Sequence, residues 1–347
     1  MTAIMALTDP NAASAGDGIF GLDCTPEEAA VVLVPVPFDA TTSYRPGTAG
    51  GPAAILAASA QVDLHDREVG DPWRAGIALL PADPAIVANA GEARRLVNAL
   101  RDGESGDPAG DLEVVNGLCG EVNDTVRDTV AGWLRAGRIV GTVGGDHATA
   151  FGAIAAHADH YGDIGLLHID AHADLRRDYE GFRWSHASVM EAVSRELPGV
   201  TRLVQVGVRD YCEEEAQRID DSDGRIVTFF DADLQARLAA GEPWAALVEE
   251  MLAPLPRTVY LSFDIDGLDP ALCPHTGTPV PGGLNFAQAC FLLRALARSG
   301  RQLVGFDLVE VAPGPDGDEW DGNVGARLLY KLIGHALATR AERPGTS

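Results

Sequence analysis

The sequence predicts an α/β protein of three layers, αβα, built on a mainly parallel eight-stranded sheet. Three observations predict it: eight short β-like runs recur along the 347 residues, most are nearly continuous apolar segments, and helix-like stretches fall between them. A strand that is apolar on both faces has to be covered on both, which is how a parallel sheet sits between two layers of helices.

Taken in order, Val31–Val36 and Ala75–Leu80 are the first two runs. The loop GESGDPAGD (103–111) and a helix over Asn116–Ala136 lead to the third, Ile139–Val143. A helix over Thr149–Asp159 then carries the chain to Ile164–Ile169, the fourth. Leu203–Val208 and Ile226–Phe230 flank a polar region, Arg209–Gly224. The seventh and eighth runs, Val259–Phe263 and Leu303–Val309, follow helices over Trp244–Leu252 and Ala287–Ser299, and a helix over Asn323–Ala338 closes the chain. There is no fixed-period repeat and no domain linker, so residues 31–347 read as a single domain and 1–30 as a flexible N-terminal arm.

Composition sets limits. With 46% hydrophobic and 22% charged residues the chain reads as soluble and globular. Lys and Arg total 26 against 51 Asp and Glu, a formal charge of −25, which argues against nucleic acid or an anionic membrane as partner and favours cationic guests. No segment approaches the roughly 20 apolar residues of a membrane span, and the N-terminus lacks the basic and apolar regions of a signal peptide, so a cytoplasmic location is expected. Cys24, Cys119, Cys212, Cys273 and Cys290 are scattered, without a CxxC pair, and read as packing thiols.

The chemistry gathers at run ends. LLHIDAHAD (166–174) passes straight from an apolar run into Asp170, His172 and Asp174, whose two-residue spacing would put them on one face of an extended backbone. An acidic loop without a metal is the alternative for this segment alone. After Ile139–Val143 comes GGDH, with Asp146 and His147; after Val259–Phe263 come Asp264 and Asp266, while Asp269, before Pro270, reads as a turn cap. In open parallel sheets ligands bind outside the carboxyl ends of strands. Two imidazoles and four carboxylates exceed the needs of one ion, and they suit two divalent cations roughly 3.5–4 Å apart that generate hydroxide near neutral pH.

GGDH at 144–147, DAHAD at 170–174 and SFDIDGLDP at 262–270 resemble, in residue type, order and spacing, the three signatures of the ureohydrolases, the arginase, agmatinase and formiminoglutamase group. The resemblance extends from about Val31 to Ala338 and implies the arginase/deacetylase-like fold. It further implies that His147, Asp170, Asp174 and Asp264 bind one manganese and that His172, Asp170, Asp264 and Asp266 bind the other, with Asp170 and Asp264 bridging. Ni2+ is the alternative metal. His186, in RWSHAS, matches the family's active-site histidine, and Glu310, in FDLVEVAP, its guanidinium-facing acid. The implied reaction cleaves a small cationic guanidino substrate to urea and a primary amine, with Asp174 orienting the hydroxide and His186 moving protons. A homo-oligomer, trimer or hexamer, is implied as well.

The agmatinase branch is the nearest, on DLRRDYEGFRWSHAS (174–188), SYRPGTAGGPAAI (43–55) and TGTPVPGGL (276–284). Arg176 stands where arginases carry an asparagine that helps read the amino-acid end of arginine. Agmatine, giving putrescine and urea, is the expected substrate. Guanidinobutyrate, guanidinopropionate, free guanidine and formiminoglutamate are alternatives, and a two-metal phosphoesterase or a non-catalytic metal-binding protein are alternatives of another class. EVAPGPDGDEWDGN (310–323) departs from the agmatinase pattern. Arg45, Arg176 and Arg183 are candidates for pairing with a substrate carboxylate, and Trp184, His275 and Trp320 for lining the pocket. His65, His157, His160 and His335 have no assigned role, and His168 is expected to pack behind Asp170.

Overall fold

In the computed structural model, which describes residues 10, 11 and 16–341, eight parallel strands form one sheet in the order β2-β1-β3-β8-β7-β4-β5-β6. They are β1 (Val31–Val36), β2 (Ile77–Leu79), β3 (Ile139–Gly144), β4 (Ile164–Ile169), β5 (Val200–Val208), β6 (Ile226–Phe230), β7 (Thr258–Asp264) and β8 (Gln302–Val309). Among the described residues ten α-helices surround it: α1 (Gly51–Ser59), α2 (Pro84–Arg101), α3 (Pro108–Arg135), α4 (Ala150–Tyr161), α5 (Val189–Glu196), α6 (Glu213–Asp220), α7 (Asp231–Ala239), α8 (Trp244–Leu252), α9 (Phe286–Arg298) and α10 (Trp320–Ala341).

The strand alternation explains the two cores. Val259, Leu261 and Phe263 of β7 point into a cluster with α1, α8, α9 and α10, while Tyr260 points the other way, among α3, α4 and α5. The three-layer αβα architecture is therefore that of the sequence reading. No helix among the described residues is long and apolar enough to cross a membrane.

Several boundaries differ, each for a local reason. β5 begins at Val200, because Thr201 and Arg202 are exposed or half-buried and give no apolar signal. The loop over Gly103–Asp111 is half helix: Asp107 caps α3 by accepting from the Gly110 N–H at 3.1 Å, and Pro108 occupies the first turn. The polar region Arg209–Gly224 contains α6, which buries little besides Glu215 and so carries no apolar stripe. Residues 16–30 are not a free arm. Ile19, Phe20 and Leu22 are buried, the Phe20 N–H donates to Ser59 Oγ at 2.9 Å, and its ring lies edge-on to Tyr330 with centroids 4.9 Å apart. The rest of the predicted arm, residues 1–9 and 12–15, lies outside the described residues, as do 342–347 of the predicted domain.

One close approach fixes α4 on the sheet. A Cβ at Gly305 would lie 2.0 Å from His157 Nε2, so only glycine lets this buried ring rest on β8. Gly305→Ala is expected to cost about 1–3 kcal/mol through overpacking, read as a lower urea midpoint at unchanged slope. His157 donates from Nδ1 to the Ala153 carbonyl at 2.8 Å, its Nε2 has no partner, and burial pulls its pKa down to about 4. The unfolded chain, protonating near 6.5, binds the proton first as pH falls, so the stability contribution is complete above about 6.5 and lost between there and about 4. His157→Gln is expected to flatten the fall in unfolding free energy across that window by up to about 3 kcal/mol.

Candidate active site

Four neighbouring strands deliver the polar cluster at their carboxyl ends, in the spatial order β3, β8, β7, β4. His147 follows β3, Glu310 follows β8, Asp264 ends β7 with Asp266 in the next turn, and Asp170, His172 and Asp174 follow β4. The double glycine of GGDH serves a close approach: a Cβ at Gly145 would lie 1.9 Å from the Phe38 carbonyl oxygen. The chain after β1 crosses there and accepts the Asp146 N–H on Phe38 O at 2.9 Å.

The extended alternation expected for Asp170, His172 and Asp174 does not occur, because β4 stops at Ile169. The His172 N–H turns back to Asp170 Oδ1 at 2.6 Å, and Asp174 adopts the left-handed region with φ 53°. The three side chains therefore split between two neighbouring centres. Around His147 Nδ1 lie Asp170 Oδ2 at 2.9 Å, Asp174 Oδ2 at 3.0 Å and Asp264 Oδ2 at 3.2 Å. Around His172 Nδ1 lie Asp266 Oδ2 at 3.1 Å and Asp170 Oδ1 at 3.3 Å. Asp170 spans both centres with its two oxygens. Asp264 joins the first, and its other oxygen accepts the Asp266 N–H at 2.8 Å.

This arrangement demands positive charge. Ser262 Oγ donates to Asp307 Oδ1 at 2.8 Å, so it accepts from His147 Nε2 at 2.9 Å, leaving the ring's proton on Nε2. Nδ1, buried and without a hydrogen-bond partner, then aims a lone pair at three carboxylate oxygens. Lone pairs converging from four atoms repel unless a cation stands among them, and nitrogen with carboxylate oxygens suits a divalent transition metal. Protons are the only other source of charge. Burial, with Asp170 beside it, pushes the Asp174 carboxyl up to about 7, and burial with Asp266 and Asp170 holds Asp264 well above the ordinary carboxylate range. The residues thus fit a pair of divalent cations.

Beside the centres runs a cleft with about 130 Å3 of space, whose lining includes Ser43, His172, Asp174, Tyr179, His186 and Thr278 together with the charged Arg176, Asp210 and Glu215. His186 is held at both ring nitrogens, by Ser43 Oγ at 3.3 Å from Nε2 and Ser185 Oγ at 3.3 Å from Nδ1. Burial, with His172, Arg101 and His147 nearby, lowers its pKa to about 3, so the ring is neutral. Glu310 also sits in the left-handed region, φ 61°. Its Oε1 accepts the His147 N–H at 2.9 Å while Oε2, equally buried, has no partner.

Compared with known proteins, the chain matches the family model described as Arginase family over residues 29–335. The chain belongs to the arginase family. As a ureohydrolase it is a hydrolase of guanidino C–N bonds, and its family is one of binuclear metal centres. It is 36% identical to N(1)-aminopropylagmatine ureohydrolase of Thermus thermophilus over 91% of this chain and 94% of that one. It is 31% identical to the agmatinase of Cronobacter sakazakii, over 91% and 90% of the two chains. Among solved structures, agmatine ureohydrolase of Thermoplasma volcanium superposes with a TM-score of 0.73 at 26% identity, covering 95% of this chain and 97% of that one.

Other residues singled out in the sequence take different places in this ureohydrolase. Of the three arginines, Arg176 alone lines the cleft, with Nε 3.6 Å from Glu215 Oε2. Arg183 pairs with Glu196 at 2.6 Å, and Arg45 donates to the Pro274 carbonyl at 2.9 Å. Trp184, His275 and Trp320 do not line the cleft. Trp184 packs on Phe151 with centroids 4.7 Å apart, His275 Nδ1 meets Asp321 Oδ2 at 2.9 Å, and Trp320 Nε1 donates to the Ala271 carbonyl at 3.0 Å. The segment EVAPGPDGDEWDGN supplies the Asp321 that ties down His275, so its departure from the agmatinase pattern has a structural partner in this chain.

His168 stands behind Asp170, as expected. Gln205 Oε1 accepts from Thr228 at 2.9 Å and its Nε2 donates to the Ala173 carbonyl at 2.7 Å, which fixes the amide orientation. The same Nε2 faces His168 Nδ1 at 3.0 Å, so His168 carries its proton on Nε2 and donates to Asp170 Oδ2 at 2.8 Å. Ser43, Tyr179, Asp210 and Thr278 had no signal as single residues; only the fold brings them to the cleft.

Proposed function

We propose that the protein hydrolyses a guanidinoalkyl amine, agmatine or agmatine extended by an aminopropyl group, to urea and the corresponding primary amine. The observation that carries this reading is Glu310 Oε2, a buried, unpartnered carboxylate oxygen beside a cation-demanding cluster. Burial, with Asp146 and Asp266 nearby, holds Glu310 well above the usual carboxylate range, and a guanidinium placed there supplies the missing charge and two-pronged donors.

His147, Asp170, Asp174 and Asp264 would hold one divalent cation, and His172, Asp170 and Asp266, with Asp264 in the family pattern, the other. Mn2+ is the proposed metal, with Ni2+ second. Such a pair supplies Lewis acidity and a hydroxide nucleophile at neutral pH. Glu310 orients the guanidinium, Asp174 orients the attacking oxygen, and the neutral His186 ring, between the Ser43 and Ser185 hydroxyls, relays a proton toward the departing amine. Charge balances overall: a guanidinium and water give urea and an alkylammonium. His186→Ala is expected to lower kcat about a hundredfold with KM changed little, measured as urea release at saturating substrate.

A cationic tail is supported by Asp210, an exposed acid on the cleft with no ion pair among the described residues, and by Arg176 leaning toward Glu215. Arg176 also supports a second reading, a carboxylate-tailed guanidine such as guanidinobutyrate. Urea release across agmatine, N(1)-aminopropylagmatine, guanidinobutyrate and arginine separates the two. Faster turnover of guanidinobutyrate than of either amine would overturn the first reading. Residues 31–347 are proposed to act as one catalytic domain, in a cytoplasmic homo-oligomer, trimeric or hexameric.

A further inference from the structure

Two separate chain segments wall the cleft: residues 39–47, carrying Ser43, and residues 174–186, carrying Tyr179 and His186. They touch at the front through Ser43 Oγ and His186 Nε2, 3.3 Å apart. Behind that contact the Arg101 guanidinium, at the end of α2, reaches both. Its Nη1 donates to the Thr42 carbonyl at 2.8 Å and its Nη2 to the Thr41 carbonyl at 3.1 Å. The same group grips Glu180 Oε2 from Nε at 2.8 Å and from Nη2 at 2.6 Å. The ring of Phe182, itself buried, lies 5.8 Å from the guanidinium carbon.

We propose that Arg101 is a positioning residue: it braces the two cleft walls from behind and so sets the Ser43–His186 contact on which proton relay depends. The reading rests on the proposed function of the cleft. Several features favour a brace over an ordinary ion pair. A surface pair with Glu180 alone would contribute little, but here one rigid, planar fork joins two backbone carbonyls of one wall to a side chain of the other. Glu180 holds φ 56°, a left-handed conformation that its neighbours must over-determine, and Arg101 is the cation that engages it. Arg94, two turns earlier on the same face of α2, also reaches the first wall, with Nη1 3.4 Å from the Thr42 carbonyl and Nη2 3.3 Å from Asp39 Oδ1, but among the described residues it makes no hydrogen bond or ion pair with the second. Arg101 is thus the residue of α2 that couples the two. A lysine carries its three donors on a single nitrogen and cannot reproduce the four contacts that Nε, Nη1 and Nη2 make across the two walls.

The test uses the full chain with Mn2+, comparing Arg101→Met, Arg101→Lys and, as a control that removes a surface pair with Asp159, Arg127→Met. Hydrogen exchange is expected to rise together in peptides covering 39–47 and 174–186 in both Arg101 variants and to stay unchanged in Arg127→Met. In turnover, Arg101→Met is expected to lower kcat about ten- to a hundredfold with a smaller change in KM, and Arg101→Lys to give little rescue. Combined with Ser43→Ala, it is expected to lose no more than the worse single variant, since both act through one contact. Exchange that rises in one wall only or in neither, or full rescue by lysine, overturns the brace. Absence of urea release by the unsubstituted protein overturns the proposed function, and the exchange measurement still decides the brace.

Discussion

Asp170→Asn is expected to abolish urea release, by at least about a thousandfold, or roughly 4 kcal/mol of transition-state stabilisation. Asp170 reaches both centres, with Oδ2 2.9 Å from His147 Nδ1 and Oδ1 3.3 Å from His172 Nδ1. An asparagine keeps one oxygen and turns an amide toward the other centre, so bound metal is expected to fall below two ions per chain by elemental analysis. His168→Ala, which frees Asp170 Oδ2 from a 2.8 Å hydrogen bond, is expected to act in the same direction but more weakly, about ten- to a hundredfold. A variant at Asp170 that retained two tightly held ions and ordinary turnover would remove the basis of the two-centre assignment.

Glu310→Gln is the second large effect. The substitution keeps the shape and the acceptor for the His147 N–H but removes the charge that faces a guanidinium, so kcat/KM is expected to fall about a hundred- to a thousandfold, roughly 3–4 kcal/mol. Metal content should not change. Nor should the melting temperature fall: the left-handed backbone at Glu310 is equally available to glutamine, and a buried carboxylate flanked by Asp146 and Asp266 gives up an unfavourable charge. The two variants are therefore distinguished by metal content. A Glu310→Gln enzyme that bound and turned over agmatine normally would assign the guanidinium to some other acid.

Much of the sheet was legible because its strands are buried on both faces, so continuous apolar runs such as Ile164–Ile169 report directly on a covered parallel sheet. Elements with little apolar surface were not. α6 buries almost only Glu215, and the first turns of α3 read as loop because Asp107 and Pro108 are both turn formers and helix starters. Burial of Phe20 against Tyr330 depends on a helix about three hundred residues later in the chain, which no local pattern reports.

Residue identity and order carry the chemistry on offer: which ligand types exist, that each follows an apolar run, and, through GGDH, DAHAD and DIDGLDP, the family to which the chain belongs. Which atoms meet depends on the closed fold. The order β3-β8-β7-β4 brings residues 147, 170, 264 and 310 together although the strands whose ends they occupy are distant along the chain. The end of β4 at Ile169 and the left-handed turn at Asp174 divide DAHAD between two centres instead of lining it along one face. The physical reason is the same in each case. Residue type fixes what a side chain can donate, accept or ligate, whereas its partner depends on strand neighbours and backbone turns that form only when the whole sheet closes.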